Sequence, residues 1–322
     1  MIRVYESNKK IKQKGESIMS DKNKEVAQES IPPMGIRMIA REFKKDKVAI
    51  FSLALLVVLL LVIFIGAIFI DQDKVMFVSI FDKYAEPGAI SSQGSKFLLG
   101  ADEGGRDVFG QLIIGARNSV MIGFAITIIT SIIGVGLGIL SGFYGGIIDN
   151  VLMRIVDFIM ILPIMLIIIV FVSIISRYNV WSFIFIMSAF YWVAKARLFR
   201  SKTLSEARRD YVSASKTMGT SDFKIMFREI MPNLSSLIIT NLTMNFAANI
   251  GIETTLTFLG FGLPANVPSL GTLIGYASNG EVLVNRQWIW LPASILILVL
   301  MLSINYVGQA FKRSADARQR LG

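Results

Sequence analysis

From Val48 to Ile70 the chain runs 23 residues without a charged side chain. At 1.5 Å per residue such a helix is long enough to cross a hydrocarbon core of about 30 Å. The run begins far too late to be a signal peptide. Further charge-poor runs follow at Ser119–Leu140, Ile155–Ser176, Tyr178–Ala194, Ile230–Ile252 and Trp288–Ala310. The fourth is short, and Lys195 just beyond it is expected to extend it by snorkelling to the interface. With 53% hydrophobic residues, 17% charged residues and a mean hydropathy of +0.60, the composition agrees. The expected fold is all-α, a polytopic membrane protein with six transmembrane helices.

The charges orient those helices. Lys and Arg number twelve in residues 1–47, nine in Lys195–Glu229 and four in Lys312–Gly322, so 25 of 33 fall in segments that six spans place on one side. By the positive-inside rule that side is cytoplasmic, and both termini with it. Segment 71–117, with five basic and seven acidic residues, is then extracellular. The resulting organisation is a tail at 1–47, a first span at 48–70, an outer loop at 71–117, a core at 118–311 and a C-terminus at 312–322. The net charge of +10 thus reports topology and an affinity for anionic membrane lipid rather than nucleic acid.

Several chemistries lack their parts. The chain has no His and no Cys, which removes the usual zinc and copper ligands, thiol catalysis and any serine–histidine–acid triad. No metal site, catalytic site or resident cofactor is expected. No G-x-x-x-x-G-K-[ST] loop occurs, so any ATP and magnesium must be bound by a partner.

Residues 1–47 are polar and lysine-rich, and Pro32-Pro33 stops a helix there, so a disordered tail is expected. Lys14-Gly15-Glu16 ahead of Met19 also reads as a translated ribosome-binding site, leaving Met1 and Met19 as alternative starts. In the second span Gly134, Gly138, Gly142 and Gly146 recur every four residues, a groove for close helix packing.

The stretch from Arg208 to Pro232 is too apolar for a solvated loop and too charged to cross a membrane. Tyr211, Ala214, Ser215 and Met218 fall at i, i+3, i+4 and i+7, after Asp210 as N-cap and before Gly219 as terminator. A short helix with a small, mildly apolar face suits a groove in another protein. Phe223, Met226, Phe227 and Ile230 repeat the pattern, opposed by Lys224, Arg228 and Glu229, as in an interfacial amphipathic helix. Pro232 fits the first turn of the fifth span. A membrane-surface hairpin without a partner is the plainer alternative.

Three motifs in order resemble the membrane permeases of binding-protein-dependent ATP-binding-cassette importers, specifically the peptide and nickel group. The first is Leu99-Gly100-Ala101-Asp102 with Gly105-Arg106-Asp107 and Gly115-Ala116-Arg117-Asn118-Ser119. The second is Ser213-Ala214-Ser215, Gly219 and Pro232, similar to that family's Glu-Ala-Ala, three residues, Gly, and Pro thirteen further on. The third runs from Glu253 to Gly262 and on to Pro268-Ser269-Leu270-Gly271. Ser213 and Ser215 depart from the signature's Glu and second Ala, and Leu270 stands where the peptide group usually has Trp.

The resemblance implies a type I importer permease fold and a coupling helix at Tyr211, Ala214, Ser215, Met218 and Gly219 that sits in an ATPase subunit. It also implies a second homologous permease, two ATPase subunits or domains, an extracellular binding protein and a peptide substrate at a prokaryotic cell membrane. Nickel or a metal chelate is the rival substrate, and a secondary transporter or channel the rival class.

Asn241, Asn245, Asn249 and Glu253 lie at successive i+4 positions of the fifth span. Polar groups there must face protein or water. They either line the translocation path or bond between helices; taken as a whole, the stripe is read as the path. Asp157 is expected to pair with Arg154 at i−3, and Trp288 and Trp290 to anchor the interface.

Overall fold

The computed structural model describes residues 46–176, 178–264 and 266–321, with side chains to Arg313. The expected tail lies outside the described residues up to position 45, and segment 312–322 is described as backbone to Leu321. Most of what is described is helical, and β-structure among the described residues is limited to two isolated bridges, Ile90–Lys96 and Ala101–Asp107.

The first apolar run forms α1, Lys47–Phe69. The second is part of a longer helix, α2, Val108–Tyr144, whose 37 residues make it about 55 Å long. It starts well before Ser119 because the Asp107 carboxylate accepts from the Phe109 and Gly110 amides and caps it. It ends where Gly145 and Gly146 take φ values of 63° and 56°, so Gly146 opens the next helix and is not part of the groove.

The third run is not one helix. Gly146–Ile161 (α3) and Ile164–Ile174 (α4) meet at 81°. Pro163 lacks an N–H and forces Leu162 into an extended conformation, breaking the ladder there. The fourth run becomes α5, Val180–Phe190, and α6, Val193–Glu206, bent by 40°. Then come α7, Asp210–Thr217, α8, Ser235–Phe258, α9, Leu270–Gly275, and α10, Gln287–Leu321.

By length and composition α1, α2 and α10 can each cross a membrane, and the two bent pairs qualify as one span apiece. α8, the fifth expected span, is not among them, since its asparagines, threonines and glutamate dilute its apolar character.

α2 is the central element, packing on α1, α5, α6 and α8. Its glycine groove receives α6. A Cβ on Gly134 would lie 2.6 Å from Lys195 Cβ, one on Gly138 2.7 Å from the Ala196 carbonyl, and one on Gly142 2.6 Å from the Arg200 carbonyl. No side chain fits at those three positions without shifting a backbone. This close approach overturns the snorkelling expected of Lys195, whose ammonium is buried against α2 and donates to the Thr130 hydroxyl. It also overturns the Asp157–Arg154 pair. Because α6 packs along α3, Arg197 reaches Asp157, and Arg200 reaches Asp149, which also accepts from Ser141.

Candidate functional site

Ahead of α8 the chain folds back as a hairpin. Its first limb is α7. Asp210 is the first helical residue rather than the cap, which falls at Arg209 without a side-chain bond. The far end is as the spacing requires. Gly219 takes φ 78°, its amide donates to the Lys216 carbonyl and the Thr220 amide to that of Ser215, the paired bonds of a Schellman motif.

The expected four-residue face is divided by the packing. Val212 and Ser215 are buried and Tyr211 half-buried, whereas Ala214 and Met218 point outward, Met218 with 76% of its surface exposed. Val212, missed by the sequence pattern, is the inward anchor, packing with Ile225, Met226 and Ile230. The Ser215 hydroxyl donates to Glu229 at 2.9 Å, tying the limbs together. Tyr211 donates to Glu206 at 3.0 Å, and burial pushes its phenol up from the ordinary value. Lys216 lies over the Phe143 ring, 4.5 Å from its centroid, linking the hairpin to the end of α2.

The second limb is one turn, Asp222–Lys224, followed by a π-helical turn, Ile225–Ile230. A π-turn stacks residues five apart, which places Ile225 and Ile230 together in the core. The α-periodic face is thus split again. Met226 and Ile230 turn inward, while Phe223 and Phe227 stay exposed with ring centroids 4.5 Å apart. The hairpin therefore presents Ala214, Met218, Phe223 and Phe227 on its outside, among the exposed charges of Lys216, Asp222, Lys224 and Arg228.

The polar stripe of α8 meets two environments. Asn249 is buried and donates to the Thr127 hydroxyl of α2 at 2.8 Å. Glu253 is fully buried and accepts from Thr257 at 3.0 Å and Thr254 at 3.4 Å, with the Ser119 and Ser269 hydroxyls also bonded to it. Asn245, half-buried, donates to the Asn241 carbonyl of its own helix at 2.8 Å, and the Asn241 side-chain oxygen has no partner among the described residues. The N-terminal half of the stripe has polar capacity left over; the C-terminal half is consumed by packing.

Around Glu253 two distant motifs meet. Gly115 lies against the Ser269 backbone, and Ser119 accepts from the Leu270 amide at 3.2 Å. Asn118 donates to the Pro268 carbonyl at 2.8 Å, and Ser269 with Thr272 forms a capping box on α9.

A second polar knot closes the outer cap. Asp102 accepts from the Gly104 and Arg106 amides, Arg106 Nε, Gln111 and the Tyr276 hydroxyl, all within 3.0 Å. Trp288 packs over Gly100 and Arg286, so it serves the cap as well as the end of α10. Among the described residues no group of three metal-ligating side chains gathers.

The family described as binding-protein-dependent transport system inner membrane component matches residues 134–320, which holds the glycine groove, the hairpin and the stripe. The chain belongs to this family. The N-terminal transmembrane domain of oligopeptide transport permease C matches residues 36–87. This inner membrane component is 51% identical over 284 residues to the oligopeptide transport system permease protein OppC of Lactococcus lactis subsp. cremoris (strain SK11), covering 88% of this chain and 95% of that one. It is 35% identical over 286 residues to the oligopeptide transport system permease protein AmiD of Streptococcus pneumoniae (strain ATCC BAA-255 / R6), covering 88% and 89%. It is 35% identical over 224 residues to the dipeptide transport system permease protein DppC of Haemophilus influenzae (strain ATCC 51907 / DSM 11121 / KW20 / Rd), covering 69% and 74%. It is a multi-pass membrane component of a transport system.

Proposed function

We propose that this inner membrane component imports peptides across a prokaryotic cell membrane, pairing with a second, similar permease and with two ATPase subunits or domains that bind the ATP and magnesium. An extracellular binding protein delivers the peptide. The substrate rests on relatives whose printed names are oligopeptide and dipeptide permeases. The six-span count and cytoplasmic termini rest on the distribution of basic residues, with α8 as the fifth span.

The observation that carries the mechanism is the hairpin, a short helix ended by a left-handed Gly219, anchored inward by Val212 and presenting Ala214, Met218, Phe223 and Phe227 outward beside the exposed Lys216, Lys224 and Arg228. That face seats in an ATPase groove, and its ties to Phe143 and Glu229 pass the movement of the ATPase pair to α2 and α8. Asn241 and Asn245, with hydrogen-bonding capacity to spare, face the peptide path and accept a backbone without choosing side chains.

Uptake by the reconstituted complex tests this reading. Peptide should accumulate with ATP and the binding protein present, and nickel should not. Nickel uptake without peptide uptake would overturn the substrate. Asn245→Leu should cut peptide uptake about tenfold, equivalent to about 1.4 kcal/mol, while assembly and basal hydrolysis persist. An unchanged rate would remove Asn245 from the path.

A further inference from the structure

The outer cap has inverted polarity over one short segment. Ser79 and Asp82 are buried, at 8% and 7% exposure, while Ile80 and Phe81 between them stand out at 84% and 93%. Phe77 and Val78 are exposed too. The inward groups are well satisfied. Asp82 accepts from the Ser92 amide at 2.8 Å, the Ser92 hydroxyl at 2.7 Å and the Ser91 hydroxyl at 3.3 Å. The Ser92 hydroxyl holds its carboxyl below the usual carboxylate range. The Ser79 amide donates to the Gly104 carbonyl at 2.8 Å. The segment is thus fixed with its apolar side chains outward, an arrangement that water disfavours and an apolar surrounding favours.

Its height relative to α1 identifies the surrounding. Gly66 of α1 faces Ile113 of α2, and Val75 packs on Gly110. Three residues along α2 are about 4.5 Å, the same rise as from Gly66 to Phe69, so Val75 stands level with the last residue of α1. The Ser79 carbonyl packs on Gly105, three residues before α2 begins, so the segment is about 5–10 Å beyond the end of α1. That is the depth of a phospholipid headgroup layer and of interfacially buried apolar side chains. The end of α1 likewise exposes apolar groups, Ile68 and Phe69.

We propose that Phe77, Val78, Ile80 and Phe81 form an interfacial anchor that seats the outer cap in the headgroup layer of the outer phospholipid leaflet. The proposal rests on α1 spanning the bilayer with segment 71–117 outside. The cap is then held at a fixed height, with the Asp102 knot and α9 above the membrane.

Photocrosslinking in the assembled complex, reconstituted in phospholipid vesicles, tests this. Benzoylphenylalanine would replace Phe81, with Phe69 as the lipid-facing reference and Gln93, an exposed polar residue of the same cap, as the background. Phe81 is so exposed that the larger ring leaves the fold and co-purification of the ATPase subunits intact. Phospholipid adducts at Phe81 should reach within about threefold of the Phe69 yield and exceed Gln93 about tenfold. Adducts to the binding protein or the second permease in place of lipid, or a phospholipid yield at the Gln93 level while Phe69 reacts, would overturn the anchor alone. No phospholipid at Phe69 would overturn the membrane placement beneath it.

Discussion

The cap at 71–107 and the hairpin at 208–232 solve opposite problems. In the cap, charged and hydroxyl side chains turn inward and satisfy one another, with Asp102 collecting five donors as far as 174 positions away, and Phe77, Val78, Ile80 and Phe81 face out. In the hairpin the inward groups are Val212, Ile225, Met226 and Ile230, and few side-chain polar bonds hold the limbs together. Hydrogen-bonded charge fixes a geometry rigidly, because each donor left unpaired in the interior is costly. Apolar packing against π-helical turns fixes it less tightly. The difference suits a cap of constant shape and, on the proposed coupling, a hairpin that moves with a partner.

Substitutions at the two ends can break that contrast. On the hairpin, Ala214→Arg and Gly219→Val should leave the complex inserted yet abolish uptake, by more than about 100-fold, either by releasing the ATPase subunits or by letting hydrolysis run without import. The valine adds about 1–2 kcal/mol of local strain at a positive φ. Uptake at the rate of Lys10→Glu, a tail control, would make the hairpin a mere surface feature.

Asp102→Ala should act in the other way, lowering stability with modest effect on coupling. It leaves Arg106, Gln111 and the Tyr276 hydroxyl without their acceptor, a loss of about 3–5 kcal/mol that a lowered thermal midpoint of the complex would report. An unchanged midpoint would show the cap to be less rigid than its bonds imply.

Between these lies Ser215→Ala, which removes the tie to Glu229 at a cost of about 1 kcal/mol. If the limbs move as one body, the ratio of ATP hydrolysed to peptide imported should rise several-fold with assembly unchanged. A constant ratio would place the coupling motion in packing alone.

Smallest of all is the effect of mild acid on the cap. The Asp82 carboxyl titrates below its ordinary value of 3.8, so its contribution to stability is fully present above that value and is lost only as pH falls through the depressed one. Limited proteolysis of the cap should therefore not respond to this carboxyl between pH 7 and pH 5 and should accelerate only as pH falls below the ordinary carboxylate value of 3.8. Acceleration at pH 5 would mean that the serine bonds do not hold in solution.

Much of this was legible in one dimension. The charge-free run at Val48–Ile70, the glycines at 134, 138 and 142 and the terminator at Gly219 each depend on spacing within one helix or turn, which the chain carries locally. The same local logic failed where a neighbour intervened. Periodicity grouped Ala214 with Ser215, but Val212 and the π-turn rotated the hairpin so that one faces out and the other in. A three-residue spacing paired Asp157 with Arg154, but α6 supplied Arg197 instead.

By itself, then, the sequence determined that this is a helical membrane component, which segments hold its basic charge and where its helices may approach closely. Those follow from transfer free energy and helical period, properties of residues and their near neighbours. Only the tertiary structure decided that Lys195 is buried on Thr130, and that Asn249 and Glu253 are spent on α2 and α9 while Asn241 keeps an oxygen free. These depend on contacts between residues tens to more than a hundred positions apart, whose direction no local period encodes.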